Sequence, residues 1–557
     1  RKNAVALLVV RGSGLVGTYG NLSVINLENS NTAGAVIQPY TGGIVGFDKT
    51  TDFSLINTEY LWGTEKNAII GQKYSALIGL AVPPANGVFT KQVGMGYIPT
   101  NTAQNIQVRM ENFGDITMLS PNSTGFLLMP DIDIDPGSSA MVNSTAIATY
   151  DSGYTKYAYI FNNSDQMNVR QRALNAQSGT INVYGSRSYG FMTSPYAGDD
   201  TSLYNFGIST ESAYTSSIAN QGTINVLGDE STGFAIKKAI HLWSNEGEIN
   251  VGNNNSSFLQ DNDNGNTIYD KNGNPVSTGN QTLVERATGM YTNQPLIVYS
   301  QSYDYASLPG YSADVLFGLA ENSAKIILWN NAVYSSGIRA EKNGYILNRG
   351  EIIIKGENNY GMVVADSNSY VYNVAYTGNN QAVSIPGNDS YVAPLAGREA
   401  RIVLESTAGS SVGGFVQNEG NLENASEIIV NSINSSGLYI KSGNALNSDR
   451  TNQPKNHNYG QIIVNAAGTN GVLLTNEDEK NAVLINNGLI ETKQAGTIAV
   501  YAVNGSLAEM KNLNEQESHY TPGDIIVNGN WAQNAAIKAA DGATGLWLEQ
   551  SNTAFSV

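Results

Sequence analysis

Residues 179–191, GTINVYGSRSYGF, return almost unchanged at residues 222–234 as GTINVLGDESTGF. Looser copies of the same sequence begin at Gly114, Gly350, Ser426 and Gly460. In all six copies a glycine stands 11 positions after the first residue, at Gly125, Gly190, Gly233, Gly361, Gly437 and Gly471. A segment that recurs with a fixed internal spacing indicates a repeat architecture, in which similar units stack on one another.

Each copy predicts two short strands joined by a turn. Ile181 and Val183 alternate with polar residues at the period of two that marks a strand, and Ile224 and Val226 do the same. Gly, Asn, Ser and Asp follow, which favour a turn, and apolar alternation resumes after the second glycine. A small hydroxyl or amide residue precedes that glycine by two positions, at Ser123, Ser188, Ser231, Ser335, Asn359, Ser435 and Thr469.

Such units bury their apolar faces only by stacking, so we predict an all-β right-handed parallel β-helix, or β-solenoid, with long loop insertions. A β-propeller is the structural alternative, but its blades need four antiparallel strands at a nearly constant period, and the spacing between these copies varies. One short helix is predicted at residues 164–177, SDQMNVRQRALNAQ.

The repeat divides the chain into two regions. Residues 1–110 carry weak copies, such as the one that places Gly34 11 positions after Ser23 with Ile25 and Leu27 in strand positions, and are predicted to form divergent N-terminal coils. Residues 4–10, AVALLVV, are too short for a signal segment and predict a buried strand. Residues 111–557 carry the clear repeat, and we expect the chain to be a piece of a longer protein. Insertions are predicted at residues 192–221, 253–288, 299–323, 366–398 and 441–458.

Composition limits the classes of function. The chain has 557 residues, of which 41% are hydrophobic, a formal net charge of −17 and no cysteine. Without cysteine there is no disulfide framework, no cysteine-ligated zinc and no thiol nucleophile. The negative charge argues against nucleic acid as a partner, because phosphate binding requires a basic surface. No apolar run reaches 18 residues, so no membrane insertion is predicted for this stretch of chain.

The repeated pattern G-x-I-x-V-x-x-x-x-S-x-G followed by an apolar residue, in a cysteine-free chain rich in Asn and Gly, resembles the passenger domain of the very large type V autotransporter adhesins of fusobacteria. The resemblance covers residues 111–557 and extends weakly into the first 110. It implies a β-helical passenger on the bacterial cell surface, at the extracellular face of the outer membrane. It further implies a virulence-associated adhesin that binds host-cell proteins or glycans, galactose-type glycans among them, and other bacterial cells in coaggregation.

No catalytic motif is found in the sequence, and we predict that the protein is not an enzyme. His241, His457 and His519 have no metal-ligand spacing, and neither a nucleophile elbow nor a phosphate-binding loop is present. Two alternatives to an adhesin with loops on a rigid β-helical rod remain. One is a β-helical polysaccharide lyase or hydrolase, which needs carboxylates or basic residues that converge in a groove. The other is a passive structural stalk.

Calcium is the one ion for which the sequence offers ligands, and no other cofactor is predicted. Residues 261–270, DNDNGNTIYD, place Asp261, Asp263 and Asp270 around a Gly- and Asn-rich bend that partly copies a calcium-binding loop. The copy is incomplete, because Gly265 occupies position five and Asn272 position twelve. The alternative for this stretch is a hairpin rich in Asx turns.

Two tyrosine-rich stretches are candidate ligand-binding sites, because tyrosine is a rigid amphipathic anchor at interfaces and on sugar faces. They are YSQSYDYASLPGY at residues 299–311 and YDSGYTKYAY at residues 150–159. The residues singled out are Tyr299, Tyr303, Tyr305, Tyr311, Tyr154 and Tyr157. The alternative is that these rings seal the core beneath the loops.

Overall fold

The computed structural model describes only part of the chain. Between residues 5 and 161 it describes the strands, mainly by their backbone. Beyond these it describes residues 168–193, 217–236, 242–253, 268–269, 275–276, 283–293, 297–299, 315–317, 319–342, 344–374, 400–441, 456–475, 482–486, 488–503, 507–510 and 536–549. Every regular element in these residues is a β-strand.

The strands are short, and most span three to six residues, as expected for coils of a solenoid. The first 28 are β1 (Val5–Val10), β2 (Gly14–Thr18), β3 (Ile25–Leu27), β4 (Ala33–Gln38), β5 (Thr51–Asn57), β6 (Ala68–Gly71), β7 (Ala76–Gly79), β8 (Val93–Tyr97), β9 (Asn105–Asn112), β10 (Asp115–Met118), β11 (Thr124–Leu128), β12 (Ser144–Asp151), β13 (Tyr154–Phe161), β14 (Asn168–Asn175), β15 (Thr180–Val183), β16 (Tyr189–Thr193), β17 (Ser217–Asn220), β18 (Thr223–Val226), β19 (Thr232–Ile236), β20 (Leu242–Asn245), β21 (Glu248–Val251), β22 (Ile268–Tyr269), β23 (Pro275–Val276), β24 (Val284–Glu285), β25 (Thr288–Thr292), β26 (Ile297–Tyr299), β27 (Val315–Phe317) and β28 (Leu319–Asn322).

The remaining strands continue the pattern. They are β29 (Lys325–Leu328), β30 (Ala332–Val333), β31 (Ser336–Ala340), β32 (Tyr345–Asn348), β33 (Glu351–Ile354), β34 (Tyr360–Val364), β35 (Tyr370–Val374), β36 (Arg401–Leu404), β37 (Val412–Val416), β38 (Asn421–Ala425), β39 (Glu427–Val430), β40 (Ser436–Ile440), β41 (His457–Asn458), β42 (Gln461–Val464), β43 (Asn470–Thr475), β44 (Val483–Asn486), β45 (Leu489–Thr492), β46 (Ile498–Val503), β47 (Leu507–Met510), β48 (Ala536–Lys538) and β49 (Thr544–Glu549).

The chain forms two compact units, and the first comprises residues 1–249, 255–282 and 296–319. Its coils pass in turn through three parallel sheets, which we name the first, second and third sheets. The first sheet contains β2, β5, β9, β14, β17 and β20, the second β3, β6, β10, β15, β18 and β21, and the third β7, β11, β16 and β19. The two nearly identical copies stack in register, with Ile181 beside Ile224 and Phe191 beside Phe234.

The second unit comprises residues 250–254, 283–295 and 320–557 and has the same three-sheet coil. Its first sheet contains β28, β32, β35, β38, β41, β44 and β47, its second β29, β33, β36, β39, β42, β45 and β48, and its third β25, β31, β34, β37, β40, β43, β46 and β49. These parallel stacks confirm the predicted all-β parallel β-helix. The predicted two-strand unit was incomplete, however, because each coil also contains a first-sheet strand.

Three local predictions in the N-terminal part can be compared with the strands. The helix predicted at residues 164–177 is wrong, because β14 occupies that stretch and pairs in parallel with β9 on one side and β17 on the other. Hydrogen bonding to two neighbouring strands outweighs the weak local helical pattern. The strand predicted at residues 4–10 is confirmed by β1, and the strand predicted around Ile25 by β3.

The second glycine of the repeat is required by the close approach of successive coils. A Cβ on Gly190 would lie 2.6 Å from the carbonyl oxygen of Gly233, and a Cβ on Gly437 would lie 2.6 Å from that of Gly471. Real Cβ atoms do not approach a backbone oxygen this closely, so any side chain would push the coils apart.

Each described turn between the second and third sheets contains a residue in the left-handed backbone region, three positions before the second glycine or before Ala499, which takes the place of that glycine in one coil. Examples are Glu230 with φ 55°, Ser410 with φ 56°, Asn434 with φ 54° and Gly496 with φ 73°. This conformation is unstrained only for glycine and is tolerated by asparagine. Glycine and asparagine are therefore frequent in these turns because they adopt a positive φ at little cost.

The core is built from ladders of like residues. In the first unit Phe126, Phe191 and Phe234 are fully buried and stack with ring centroids 4.5 and 4.7 Å apart. Ten of the coils also bury an asparagine at or near the end of the first-sheet strand, and within each unit its Nδ2 donates to the Oδ1 of the next asparagine in the ladder. In the first unit this ladder joins Asn112, Asn175, Asn220 and Asn245, and in the second Asn322, Asn348, Asn373, Asn424, Asn458 and Asn486, at 2.7 to 2.8 Å.

The small polar residues before the second glycine form another buried ladder. The backbone N–H of Ser188 donates to the Oγ of Ser231 at 3.0 Å, and that of Ser411 donates to the Oγ of Ser435 at 3.1 Å. Because these groups are buried, they need protein partners, and the next coil supplies them. The repeated hydroxyls of the sequence are thus inter-coil hydrogen-bonding groups.

The predicted insertions lie largely outside the described residues. Within or beside two of them the structure shows antiparallel pairs, which are β22 with β23 and β26 with β27, and a third antiparallel pair, β12 with β13, lies outside the predicted insertions. Residues 194–216, 375–399 and 442–455, in three of the five predicted insertions, are not described.

Candidate functional site: an outward-facing aromatic face

Most of the site residues predicted from the sequence lie outside the described part of the chain. These are Tyr303, Tyr305, Tyr311, Asp261, Asp263 and Asp270. The backbone of the other three is placed, with Tyr299 opposite Val315 in the β26–β27 pair, and with Tyr154 and Tyr157 in β13 opposite Asp151 and Ala148 of β12. The structure does not bring the described members of the two tyrosine groups into one element.

The proposed calcium site adjoins a short antiparallel pair, in which Ile268 lies opposite Val276 and Tyr269 opposite Pro275. A pair of this kind is what the alternative hairpin interpretation predicts for the residues that follow Asp263. Among the residues that the structure describes, no three His, Cys, Asp or Glu side chains are grouped so that they could hold a metal ion.

A different candidate site lies on the third sheet of the second unit. Side chains alternate along each strand of this sheet, so that in β40 Leu438 and Ile440 are buried in the core while Tyr439 points outward and is partly exposed. The outward position is two residues after the second glycine of the repeat. In-register pairing stacks these positions in a column that contains Tyr291, Arg339, Val363, Phe415, Tyr439, Leu473, Tyr501 and Trp547.

Aromatic rings dominate this column from Phe415 onward. The Phe415 ring lies 5.1 Å from that of Tyr360 and 5.2 Å from that of Tyr439, measured between centroids. Tyr501 and Trp547 meet edge to face at 5.9 Å, and Trp547 is 48% exposed. We name Tyr360, Phe415, Tyr439, Leu473, Tyr501 and Trp547 the aromatic face.

A polar rim runs beside the aromatic face, two positions further along each strand. It contains Gln417, Lys441 and Thr475, which are all partly exposed. The Oγ1 of Thr475 donates to the hydroxyl of Tyr439 at 3.4 Å, so the rim contacts the rings. At the far end the hydroxyl of Tyr501 donates to the carboxylate of Glu549. The arrangement offers exposed apolar rings and hydrogen-bonding groups side by side.

Two phenols of the face, those of Tyr360 and Tyr501, have raised pKa values. Burial raises the pKa of the Tyr360 hydroxyl, and the nearby charge of Lys441 opposes this shift without reversing it. The hydrogen bond to Glu549, followed by burial, raises the pKa of Tyr501. Both phenols are therefore hydrogen-bond donors at neutral pH.

The opposite end of the column is polar and internally paired. The hydroxyl of Tyr291 donates to Glu341 at 2.6 Å, and the guanidinium of Arg339 lies 3.1 Å from the same carboxylate. Val363 is 2% exposed and separates this cluster from Phe415 in the column. The aromatic face thus has a defined boundary at Val363.

The outward side of the second sheet carries ion pairs instead of rings. Glu351 lies 4.0 Å from Lys325 and also pairs with Arg401, while Glu405 lies 3.8 Å from Lys355. The ammonium of Lys355 also lies 4.4 Å from the ring centroid of Trp329. Pairs with solvent exposure of this kind contribute little stability and hold their carboxylates in contact with cations.

The aromatic face differs from the predicted tyrosine sites because its rings are far apart in the sequence, whereas the tyrosines of residues 150–159 and 299–311 are close together. A signal was present, since Phe415, Tyr439 and Leu473 each stand two positions after a second glycine. Recognising it requires knowing that the strand after this glycine has one face in solvent and that successive coils stack without a register shift. Only the pairing of strands settles both points.

Comparison with known proteins gives no further guide. No family model matches the chain, and neither a curated protein nor a solved structure matches it. Within the part of the chain that the structure describes, no helix is long and apolar enough to cross a membrane. Function is therefore inferred from the geometry of the chain's own side chains.

Proposed function

We propose that the protein is a cell-surface adhesin whose β-helix presents the aromatic face to host-cell proteins or glycans and to other bacterial cells. The observation that carries this proposal is the column of partly exposed rings from Phe415 to Trp547, with the polar rim of Gln417, Lys441 and Thr475 beside it. The tyrosine-rich stretches around Tyr154 and Tyr299 are proposed as additional contacts.

The geometry suits binding for two physical reasons. Neighbouring strands are about 4.8 Å apart, so Phe415 and Tyr439 lie side by side, as do Tyr501 and Trp547, and a partner side chain or a sugar ring can pack against these exposed rings. Aromatic residues also dominate the binding energy of most interfaces, especially where polar groups surround them. A surface that is held by buried ladders loses little entropy when it binds.

Location and partners follow from the resemblance to fusobacterial autotransporter passengers. An adhesin of this class is proposed to lie on the extracellular face of the outer membrane, where coaggregation and attachment to host cells occur. Calcium at Asp261, Asp263 and Asp270 is proposed to order a loop and not to take part in chemistry.

The proposal is tested with the whole 557-residue chain. Binding to host epithelial cells, to partner bacteria and to a glycan array is compared between the wild type and the double variant Phe415→Ala, Tyr439→Ala. Ile433→Ala is the matched control, because Ile433 is a turn residue and 58% exposed. We expect about a tenfold loss or more in the double variant and none in the control.

An unchanged dissociation constant in a folded double variant contradicts binding through the aromatic face. The same assays are repeated with a calcium chelator, which reports on the predicted calcium site. Steady release of reducing ends from a polysaccharide, without saturable binding, would favour the lyase or hydrolase alternative. Absence of both binding and turnover would favour the stalk.

A further inference from the structure

The outward side of the second sheet in the second unit carries a row of apolar side chains. In β33 the residues Ile352 and Ile354 are fully buried in the core, whereas Ile353 points outward and is partly exposed. In-register pairing stacks this outward position in five successive coils. We name the resulting column the apolar ridge, in which the first residue is 4% exposed and the others are partly exposed. It consists of Ile327, Ile353, Val403, Ile429 and Ile463.

The preference of β-branched residues for strands does not by itself explain the ridge. In the first unit the equivalent outward position is Asn182 and Asn225, whose amides bond to each other at 2.8 Å. In the coil that follows Ile463 it is Glu491. The repeat therefore accepts polar residues at this position, and a row of apolar residues on the solvent side of a sheet marks an interaction surface.

Charged residues flank the ridge on both sides. On one side the sign of the charge alternates over four successive coils, which carry Lys325, Glu351, Arg401 and Glu427. On the other side Lys355 and Glu405 lie 3.8 Å apart in the two middle coils of these four. Within the chain the neighbouring charges form ion pairs, and they leave the ridge as an apolar strip between two polar borders.

A column of charges that alternates over four coils is self-complementary when a second copy faces it in the opposite direction. A two-fold axis parallel to the strands, between the two middle coils, reverses the coil order and sets each column against its own copy. Lys325 then faces Glu427 of the second copy, and Glu351 faces Arg401. A slip by one coil would set Glu351 against Glu427 and Arg401 against itself, so like charges oppose the wrong registers.

We propose that two copies of this chain associate face to face through the apolar ridge, in this antiparallel arrangement. The same axis sets Lys355 of each copy against Glu405 of the other, so both flanking columns support one geometry. The ridge lies on the second sheet and the aromatic face on the third, so the inference goes beyond the proposed adhesin function and does not depend on it.

The size of the ridge sets the strength of this association. Five strands about 4.8 Å apart, each with about five residues at about 3.3 Å, cover on the order of 400 Å² per copy. A stable specific pair typically buries about 800 Å² per partner. We therefore expect a weak pair, with a dissociation constant of about 10 to 100 µM, which multivalency strengthens wherever many copies share one surface.

The experiment is sedimentation velocity on the whole 557-residue chain, from about 1 to about 300 µM, where the wild type is expected to shift from monomer to dimer. The double variant Ile353→Asn, Val403→Asn is expected to associate at least about tenfold more weakly. Asparagine is chosen because Asn182 and Asn225 hold the equivalent position in folded coils. Ile433→Asn is the matched control, since Ile433 is 58% exposed in a turn, and it should associate like the wild type. Thermal melting verifies that each variant is folded.

An exchange of charges tests the antiparallel arrangement. Lys355→Glu and Glu405→Lys each set like charges against one another in the pair, so each single variant is expected to weaken self-association about tenfold. Mixing the two variants in equal amounts is expected to restore association, because every exchanged residue then faces an opposite charge in the mixed pair. Loss of the ion pair within one chain does not produce such a recovery.

A sedimentation coefficient that stays constant up to the highest concentration overturns the inference. Undiminished association of the folded Ile353→Asn, Val403→Asn variant also overturns it, as does a failure of the mixed charge variants to recover. The variant Phe415→Ala, Tyr439→Ala is expected to self-associate normally, so self-association and binding to cells report separately on the two proposals. If this aromatic variant is folded and monomeric, the contact lies on the third sheet and the inference is wrong.

Discussion

The Nδ2 of Asn424 donates a hydrogen bond to the Oδ1 of Asn458 in the next coil, 2.8 Å away, and both side chains are fully buried. The same Asn424 accepts from Asn373 at 2.7 Å. The amide of Asn424 is therefore both donor and acceptor in the ladder, and its removal takes a buried partner from both Asn373 and Asn458.

Asn424→Ala is predicted to lower the free energy of unfolding by about 2 to 3 kcal/mol, because the amides of Asn373 and Asn458 lose a buried partner. Urea denaturation followed by circular dichroism measures the change. Asn431→Ala is the control, since Asn431 accepts a similar bond from Asn465 on the partly exposed outer surface, where water can replace it. Equal losses in the two variants would contradict a special role for the buried ladder.

Gly437→Ala is predicted to destabilise the second unit by about 1 to 3 kcal/mol or to prevent its folding. The added Cβ would meet the backbone oxygen of Gly471 and the Cγ2 of Ile462, each at 2.6 Å, and a backbone atom has little room to move. Gly545→Ala is the matched variant, because its Cβ would meet only Ile537 Cγ2 at 3.5 Å, an ordinary contact. Thermal unfolding should separate the two, and similar melting temperatures would show that the coils are not in close contact at Gly437.

The turn conformation gives a pair of predictions of opposite sign. Gly496→Ala is predicted to cost about 1 kcal/mol, because φ is 73° there although no atom lies within 4 Å of the new Cβ. Ser410→Gly is predicted to stabilise by up to about 1 kcal/mol, because Ser410 is exposed and holds φ at 56°. Chemical denaturation of both variants measures the two changes in the free energy of unfolding. If Gly496→Ala stabilises the protein, the left-handed backbone at this position does not favour glycine and the prediction is wrong.

The free energy of unfolding is predicted to fall between pH 10 and about pH 12, and part of this fall is due to Tyr184. Burial raises the pKa of Tyr184 from 10.0 to about 12. In this interval the unfolded chain releases the phenol proton while the folded chain keeps it, so a rise in pH favours the unfolded chain. Tyr184→Phe should make the fall shallower in denaturation curves measured at pH 9 and pH 11. If the loss of unfolding free energy between pH 9 and pH 11 is the same in Tyr184→Phe as in the wild type, the loss comes from another group.

Much of the fold could be predicted because its main signals are local. The alternation of Ile224 and Val226, the turn residues and the glycine 11 positions along each copy indicated strands that stack. Local patterns do not show which strands pair, and that information comes from the strand order in the sheets. β14 pairs with β9, a strand that begins 63 residues earlier, and this pairing turned a predicted helix into a strand.

The candidate site was harder to predict than the fold. Tyr299 and Asp261 belong to clusters of tyrosines and aspartates that are local in the sequence, whereas Phe415, Tyr439 and Tyr501 are separated by longer stretches of chain. They become neighbours only because each coil returns to the same register on the third sheet. A column that is assembled one residue per coil leaves no compact motif in the sequence.

The sequence by itself determined that this chain is a β-solenoid, because the inward apolar residues, the turn glycines and the close-packed glycines recur within each copy of the repeat. Tertiary structure alone decided the first sheet, the buried asparagine ladder and the aromatic face. All three depend on which residues of successive coils lie side by side, and that is set by hydrogen bonds between strands that are distant in the sequence.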